Sequence, residues 1–194
     1  KSEGFDKLKN KLVEDPKNKN TKTIEPPDVQ LKKVIKLYEK GDLNGTINEV
    51  QRLLQMFPNS VTLHNICGAA NAGLKHYDKA IESYQNAIKI KPDFAEAYNN
   101  MGNAFKASNN VDKAIESYQN AIKIKAKYPN AISNLGSIMQ QQGKLNIAIS
   151  YYEQAMTIDN SNASILYNFA SANHDKGLLD IAIDYYKRTI KIQP

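Results

Sequence analysis

Between Asp78 and Lys91 the chain reads DKAIESYQNAIKIK, and the same letters return at Asp112–Lys125. Within this stretch Ala80, Tyr84, Ala87 and Ile88 share one side of a helix, while Glu82, Asn86 and Lys89 take the other, so each copy predicts an amphipathic helix with one packed stripe. The offset between the copies is 34 residues and reaches beyond the identical letters. Ala80, Ala114, Ala148 and Ala182 form one column, and Tyr84, Tyr118, Tyr152 and Tyr186 form another. Upstream in each unit a second pattern aligns Gly68, Gly102 and Gly136, with Ala170 closing the column and Cys67, Met101, Leu135 and Phe169 just before it. Each unit therefore predicts two helices paired as an antiparallel hairpin, and a fixed period of this length means stacked units that bury their apolar faces against one another.

The spacing divides the chain into repeats at residues 27–60, 61–94, 95–128, 129–162 and 163–194. The first is least typical, with Lys33 and Val34 at the apolar–Gly pair, Thr46 in the Ala column and Gly41 at the interhelix turn. Its helices are expected near Asp28–Lys40 and Leu43–Met56. Gly102 and Ala114 are expected to let the two backbones of one hairpin approach, and Ala121 to make room for the first helix of the next.

These columns resemble the tetratricopeptide repeat, whose pattern is W-x2-L-G-x2-Y, then A-x3-F, then P. The third unit carries Tyr98, Met101-Gly102, Phe105, Ala114 and Tyr118 at those places, and the closing proline is present as Pro58, Pro92 and Pro194 but replaced by Ala126 and Asn160. The resemblance implies an all-α fold, a right-handed superhelical solenoid of about five repeats, with a concave groove lined by the first helices.

Ahead of the repeats, residues 1–26 read as a leader. Phe5, Leu8 and Leu12 would form one stripe on a short helix, and PKNKNTKTIEPP at 16–27 has a linker's composition. The short helix alone would be marginal in water. The chain opens on Lys1 without an apolar signal-like region, which suggests a processed or trimmed boundary, and the cytoplasm is the expected compartment. It stops at Pro194 without a polar capping helix, so the expectation is a piece of a longer protein or an end covered by another copy.

Composition narrows the function by exclusion. No apolar run is long enough for a membrane span, and the single Cys67 reads as core. The net charge of +6 raises nucleic acid, but residues 1–40 hold 11 Lys against 7 acidic residues, so most of the excess sits in the leader and first helix. Lys89, Lys91, Lys123 and Lys125 lie where cations favour a helix C-terminus, without interleaved stacking aromatics, which argues against nucleic acid. No phosphate loop, Cys pair, metalloprotease motif or nucleophile elbow occurs. His64, His76 and His174 lack metal-pair spacing, and Glu82 and Glu116 read as solubility charges. No enzyme activity, cofactor or metal is expected.

By the resemblance, the groove places of this chain are polar and amide-rich: Asn65, Asn99, Asn100, Asn103, Lys106, Asn134, Gln140, Gln141, Tyr167, Asn168 and His174. The sixth place holds Asn100, Asn134 and Asn168, and a carboxamide can pair with both the N–H and C=O of an extended peptide. This column is similar to the asparagine ladder in the repeat region of O-linked N-acetylglucosamine transferase, although Asn is also common there in other tetratricopeptide repeats. A chaperone-type carboxylate clamp is not matched.

Three functions remain in view. The first is a non-catalytic module binding a peptide or partner protein segment in its groove. Another is the recognition arm of a larger bacterial enzyme of glycosyltransferase, sulfotransferase or hydroxylase type. The third is a self-assembling homo-oligomer in which the Phe5, Leu8 and Leu12 helix docks on a neighbour.

Overall fold

The computed structural model describes residues 25–193. Among these residues lie ten α-helices and no strand: α1 Asp28–Glu39, α2 Leu43–Leu54, α3 Val61–Gly73, α4 Tyr77–Ile90, α5 Ala95–Ala107, α6 Val111–Ile124, α7 Pro129–Gln141, α8 Leu145–Ile158, α9 Ala163–Asp175 and α10 Leu179–Ile192. The architecture is all-α, with consecutive helices packed as hairpins. Two compact units divide after Pro92, the first holding α1–α4 and the second α5–α10. Phe5, Leu8 and Leu12 lie outside the described residues.

Local chemistry sets the helix ends. Ser60 caps α3 by accepting the Leu63 N–H at 3.1 Å, Asn162 caps α9 by accepting those of Ser164 and Ile165, and Pro129 opens α7 where its missing N–H costs nothing. Between the helices of each hairpin one residue takes the left-handed conformation: Gly41, Lys75, Asn109, Gly143 and Gly177, with φ of 79°, 62°, 62°, 72° and 84°. These positions keep the 34-residue period although the residue type does not. After each, a backbone N–H returns to the end of the first helix, as His76 does to the Asn71 carbonyl at 2.9 Å. Lys75 therefore carries a Cβ where the turn favours glycine.

Close helix approach has a common cause in three of the hairpins. A Cβ built on Gly68, Gly102 or Gly136 would come within 2.5, 2.6 and 2.9 Å of the rings of Tyr84, Tyr118 and Tyr152 respectively. Those rings are almost wholly buried. The glycine column thus clears space for the tyrosine column of the second helix, and Ala114, expected beside Gly102 to ease the approach, is fully buried. The first repeat solves the same problem with different atoms. There Val34 replaces the glycine and Val50 the tyrosine, and both are fully buried in one cluster with Leu31, Leu53 and Ile66. Volume removed from one helix is returned on the other.

Within unit one, the carboxylate of Glu25 accepts the Ser60 hydroxyl and the Thr62 N–H, and Pro26 is buried, so the chain entering α1 is held against the start of α3. Within unit two, Ala121 packs with Ala95, Tyr128 and Ala131, and Ala155 with Ile132 and Ile165. The small second-helix residue admits the following first helix, as the spacing predicts. Cys67 is buried, and burial pushes its thiol above the ordinary range.

Two outcomes follow for stability. Lys75→Gly should raise unfolding free energy by about 1 kcal/mol, because the left-handed turn no longer strains a side chain; a denaturant midpoint that falls or stays put would contradict this account. Gly102→Val and Tyr118→Val should each destabilise, while the double variant copies the first repeat and should show a coupling of about 1–3 kcal/mol in its favour. A strictly additive double-mutant cycle would remove the Gly–Tyr explanation.

Candidate functional site

Along one face of unit two the first helices α5, α7 and α9 lie side by side, α7 touching both neighbours. The polar residues that the sequence assigns to a groove meet here in a repeating pattern of hydrogen bonds. The Asn134 amide donates to Asn99 Oδ1 at 3.0 Å and to Asn103 Oδ1 at 3.1 Å. Asn168 donates to Ser133 Oγ at 3.4 Å. Each of these bonds runs from the sixth place of one repeat back to the preceding first helix.

A second set runs forward. Lys106 Nζ donates to Ser137 Oγ at 2.7 Å, and Gln140 Nε2 donates to Ser171 Oγ at 3.1 Å and to Asp175 Oδ2 at 2.7 Å. Lys106 and Gln140 occupy the same place in successive repeats, as do Ser137 and Ser171. The tyrosine column closes the lattice from behind, with the Tyr118 hydroxyl donating to Asn103 Oδ1 at 2.8 Å and that of Tyr152 to Gln140 Oε1 at 2.9 Å. Burial raises the pKa of both phenols, so they remain donors at any ordinary pH. Lys106 is half-buried, and its desolvation lowers the ammonium below the usual lysine range.

The predicted residues differ in how they are placed. Asn99 is only 5% exposed and donates to Asn100 Oδ1 at 3.4 Å, so it forms the floor. Asn65 is 3% exposed and belongs to α3 of unit one. Asn103 and Gln141 are exposed, while Asn100, Asn134, Gln140 and Asn168 are half-buried. Tyr167 is 53% exposed and tilts against Tyr186 with ring centres 5.5 Å apart. It lines a shallow pocket of about 280 Å³ together with Ala163, Ser164, Asn168, Thr189 and Gln193. His174 is exposed and sits 3.7 Å from Asp175.

Ser137, Ser171 and Asp175 are the lattice members that the sequence reading misses. The signal available for two of them was their shared place: Asn103, Ser137 and Ser171 are 34 residues apart. Among the described residues no group of His, Cys, Asp or Glu is arranged to hold a metal ion, and no helix is long and apolar enough to cross a membrane.

Known proteins agree with this architecture. One TPR repeat family model matches residues 74–108 and 102–143, and a second, described as tetratricopeptide repeat, matches 129–162 and 163–194. No curated protein matches the chain in sequence. Among solved structures, a crystal structure of MamA is 28% identical, with a TM-score of 0.66 over 82% of this chain and 94% of its own. Pseudomonas aeruginosa PilF is 18% identical, with a TM-score of 0.76 over 86% of this chain and 76% of its own. A thermophilic TPR protein of Thermus thermophilus is 17% identical, with a TM-score of 0.76 over 86% of this chain and 91% of its own. The last two bear on the fold alone. With family matches running from residue 74 to 194 and hairpins at the same period, the chain belongs to the tetratricopeptide repeat family, whose members are generally non-enzymatic modules that bind other proteins.

Proposed function

We propose that unit two binds an extended segment of a partner protein along α5, α7 and α9, chiefly through hydrogen bonds to that segment's main chain. The supporting observation is the orientation of the Asn134 amide. Both of its hydrogens are held by Asn99 and Asn103, so its carbonyl oxygen is the group left to receive a peptide N–H. Asn168, one repeat on, gives one hydrogen to Ser133 and keeps a donor and an acceptor. Amides fixed in this way lose little rotamer freedom when a ligand arrives, and such preorganisation adds to affinity.

Side-chain preference would come from the two ends of the lattice. The half-buried Lys106 ammonium gains from a carboxylate on the bound segment, since an anion compensates its lost hydration. Exposed Tyr167 offers an apolar or aromatic residue a ring to cover.

Peptides selected from a random library on the full chain provide the probe. Replacing Asn100, Asn134 and Asn168 together by Ala should weaken the selected peptide roughly 10- to 100-fold, since each lost hydrogen bond is worth about 0.5–1.5 kcal/mol. Methylating alternate backbone nitrogens of the peptide should do the same, with the variant's melting temperature serving as the folding control. Affinity indifferent to both changes, or a ligand that binds as a helix, would overturn main-chain recognition.

A further inference from the structure

Unit one carries a different floor from unit two. The ninth and twelfth places of the repeat hold Asn103 and Lys106 in α5, then Ser137 and Gln140 in α7, but Ile35 and Tyr38 in α1 and Ala69 and Ala72 in α3. Those last four are half-buried, so the face that is polar in unit two is apolar here. Stacking does not cover these places: Ser137 and Gln140 lie between a preceding and a following repeat and are still only half-buried.

A buried polar group points to what this floor receives. Gly68 lies against the Tyr84 ring as Gly102 lies against that of Tyr118, so the two rings stand alike. The hydroxyls of Tyr118 and Tyr152 donate to Asn103 and Gln140. Tyr84 is 2% exposed, and with Ala69 and Ala72 in place of those amides its hydroxyl has no acceptor among the described residues. Burial raises its pKa, with nearby Tyr38 adding to the shift, so the phenol stays a donor. Buried donors are rarely left unpaired, and an occupant of this floor therefore brings apolar groups together with an acceptor.

A segment of that composition precedes α1. Phe5, Leu8 and Leu12 share a stripe, and Asp15, three positions further on, continues it with a carboxylate. The chain leaves this segment at a suitable point, since Glu25 is fixed at the start of α3 by the Ser60 hydroxyl and by the Thr62 N–H at 3.3 Å. Residues 16–24 extend to at most about 30 Å, whereas the 13 residues of α3 span about 20 Å. The stripe thus reaches any point along the floor, at an effective concentration that a separate ligand does not match.

We infer that residues 1–15 dock on α1 and α3 of their own chain, with Phe5, Leu8 and Leu12 over Ile35, Tyr38, Ala69 and Ala72 and with the Asp15 carboxylate accepting the Tyr84 hydroxyl. An external ligand of this face must then displace the chain's own leader.

Paramagnetic broadening in the full chain gives the test. A nitroxide on Asn10→Cys, placed opposite the stripe in a Cys67→Ala background, should erase the amide signals of Ala69 and Ala72, and reducing the label should return them. Leu8→Asp should also restore the signals. So should Ala72→Gln, which makes the floor polar and gives Tyr84 the partner that Gln140 gives Tyr152; an unchanged helical signal is the folding control for both. Asp15→Ala should lessen the broadening in the parent chain and change nothing further in Tyr84→Phe. Signals that stay sharp in the parent, or broadening that survives Leu8→Asp, would overturn the docking. If the signals fade only when a chain without nitroxide is mixed with one that carries it, the leader comes from a second copy and the intramolecular assignment falls.

Discussion

The structure depends on how closely the two helices of a hairpin can approach. Three hairpins set that distance by omitting a Cβ: the tyrosine ring of the second helix lies against bare backbone at Gly68, Gly102 and Gly136. The rings are large and buried, so each contributes substantially to hydrophobic stabilisation. Their hydroxyls, however, must find partners once inside, and Tyr118 and Tyr152 reach through to Asn103 and Gln140. In these two hairpins the packing and the polarity of the face in front are therefore linked, whereas the second repeat, with Tyr84 equally buried, carries Ala69 and Ala72 at those places. Repeat one, with Val34 and Val50, has no buried phenol to satisfy at that place and carries no Asn or Gln at the corresponding positions of α1.

From that constraint the amide lattice of unit two gains its regularity. Equivalent residues sit one repeat apart, so a bond formed once between neighbouring first helices can form again wherever the residue types allow. Lys106 with Ser137 and Gln140 with Ser171 are the same contact, made by a cation in one repeat and an amide in the next. The lattice stabilises the stack and fixes the orientation of its amides, so a substitution in one repeat also disturbs the contact made by the next.

The outer helices of the described stack differ from its interior. A repeat protein buries its apolar faces only against neighbours. At the other end of the described repeats, Lys36 stands in α1 where Ala70, Ala104, Ile138 and Ala172 are buried in the later first helices, and it is exposed. That flank is polar at this place. On α10, Leu179, Ile183 and Ile190 stand at the places that the next first helix covers in α6 and α8 and are exposed in the described chain.

Periodicity by itself determined the helices, their pairing and the register of each column, because a repeated apolar spacing admits few other folds. The assignment of Asn134, Gln140 and Asn168 to a groove came from the resemblance to the tetratricopeptide repeat, and periodicity added only that they recur at equivalent places. Only the tertiary structure decided that the glycine column lies against the tyrosine rings, and that Lys75 and Asn109 adopt the left-handed turn filled elsewhere by glycine. The contacts of the lattice join residues 31 or 35 positions apart, offsets fixed by how neighbouring helices slide past one another. That slide is a property of packed side-chain volumes and is not visible in any single repeat.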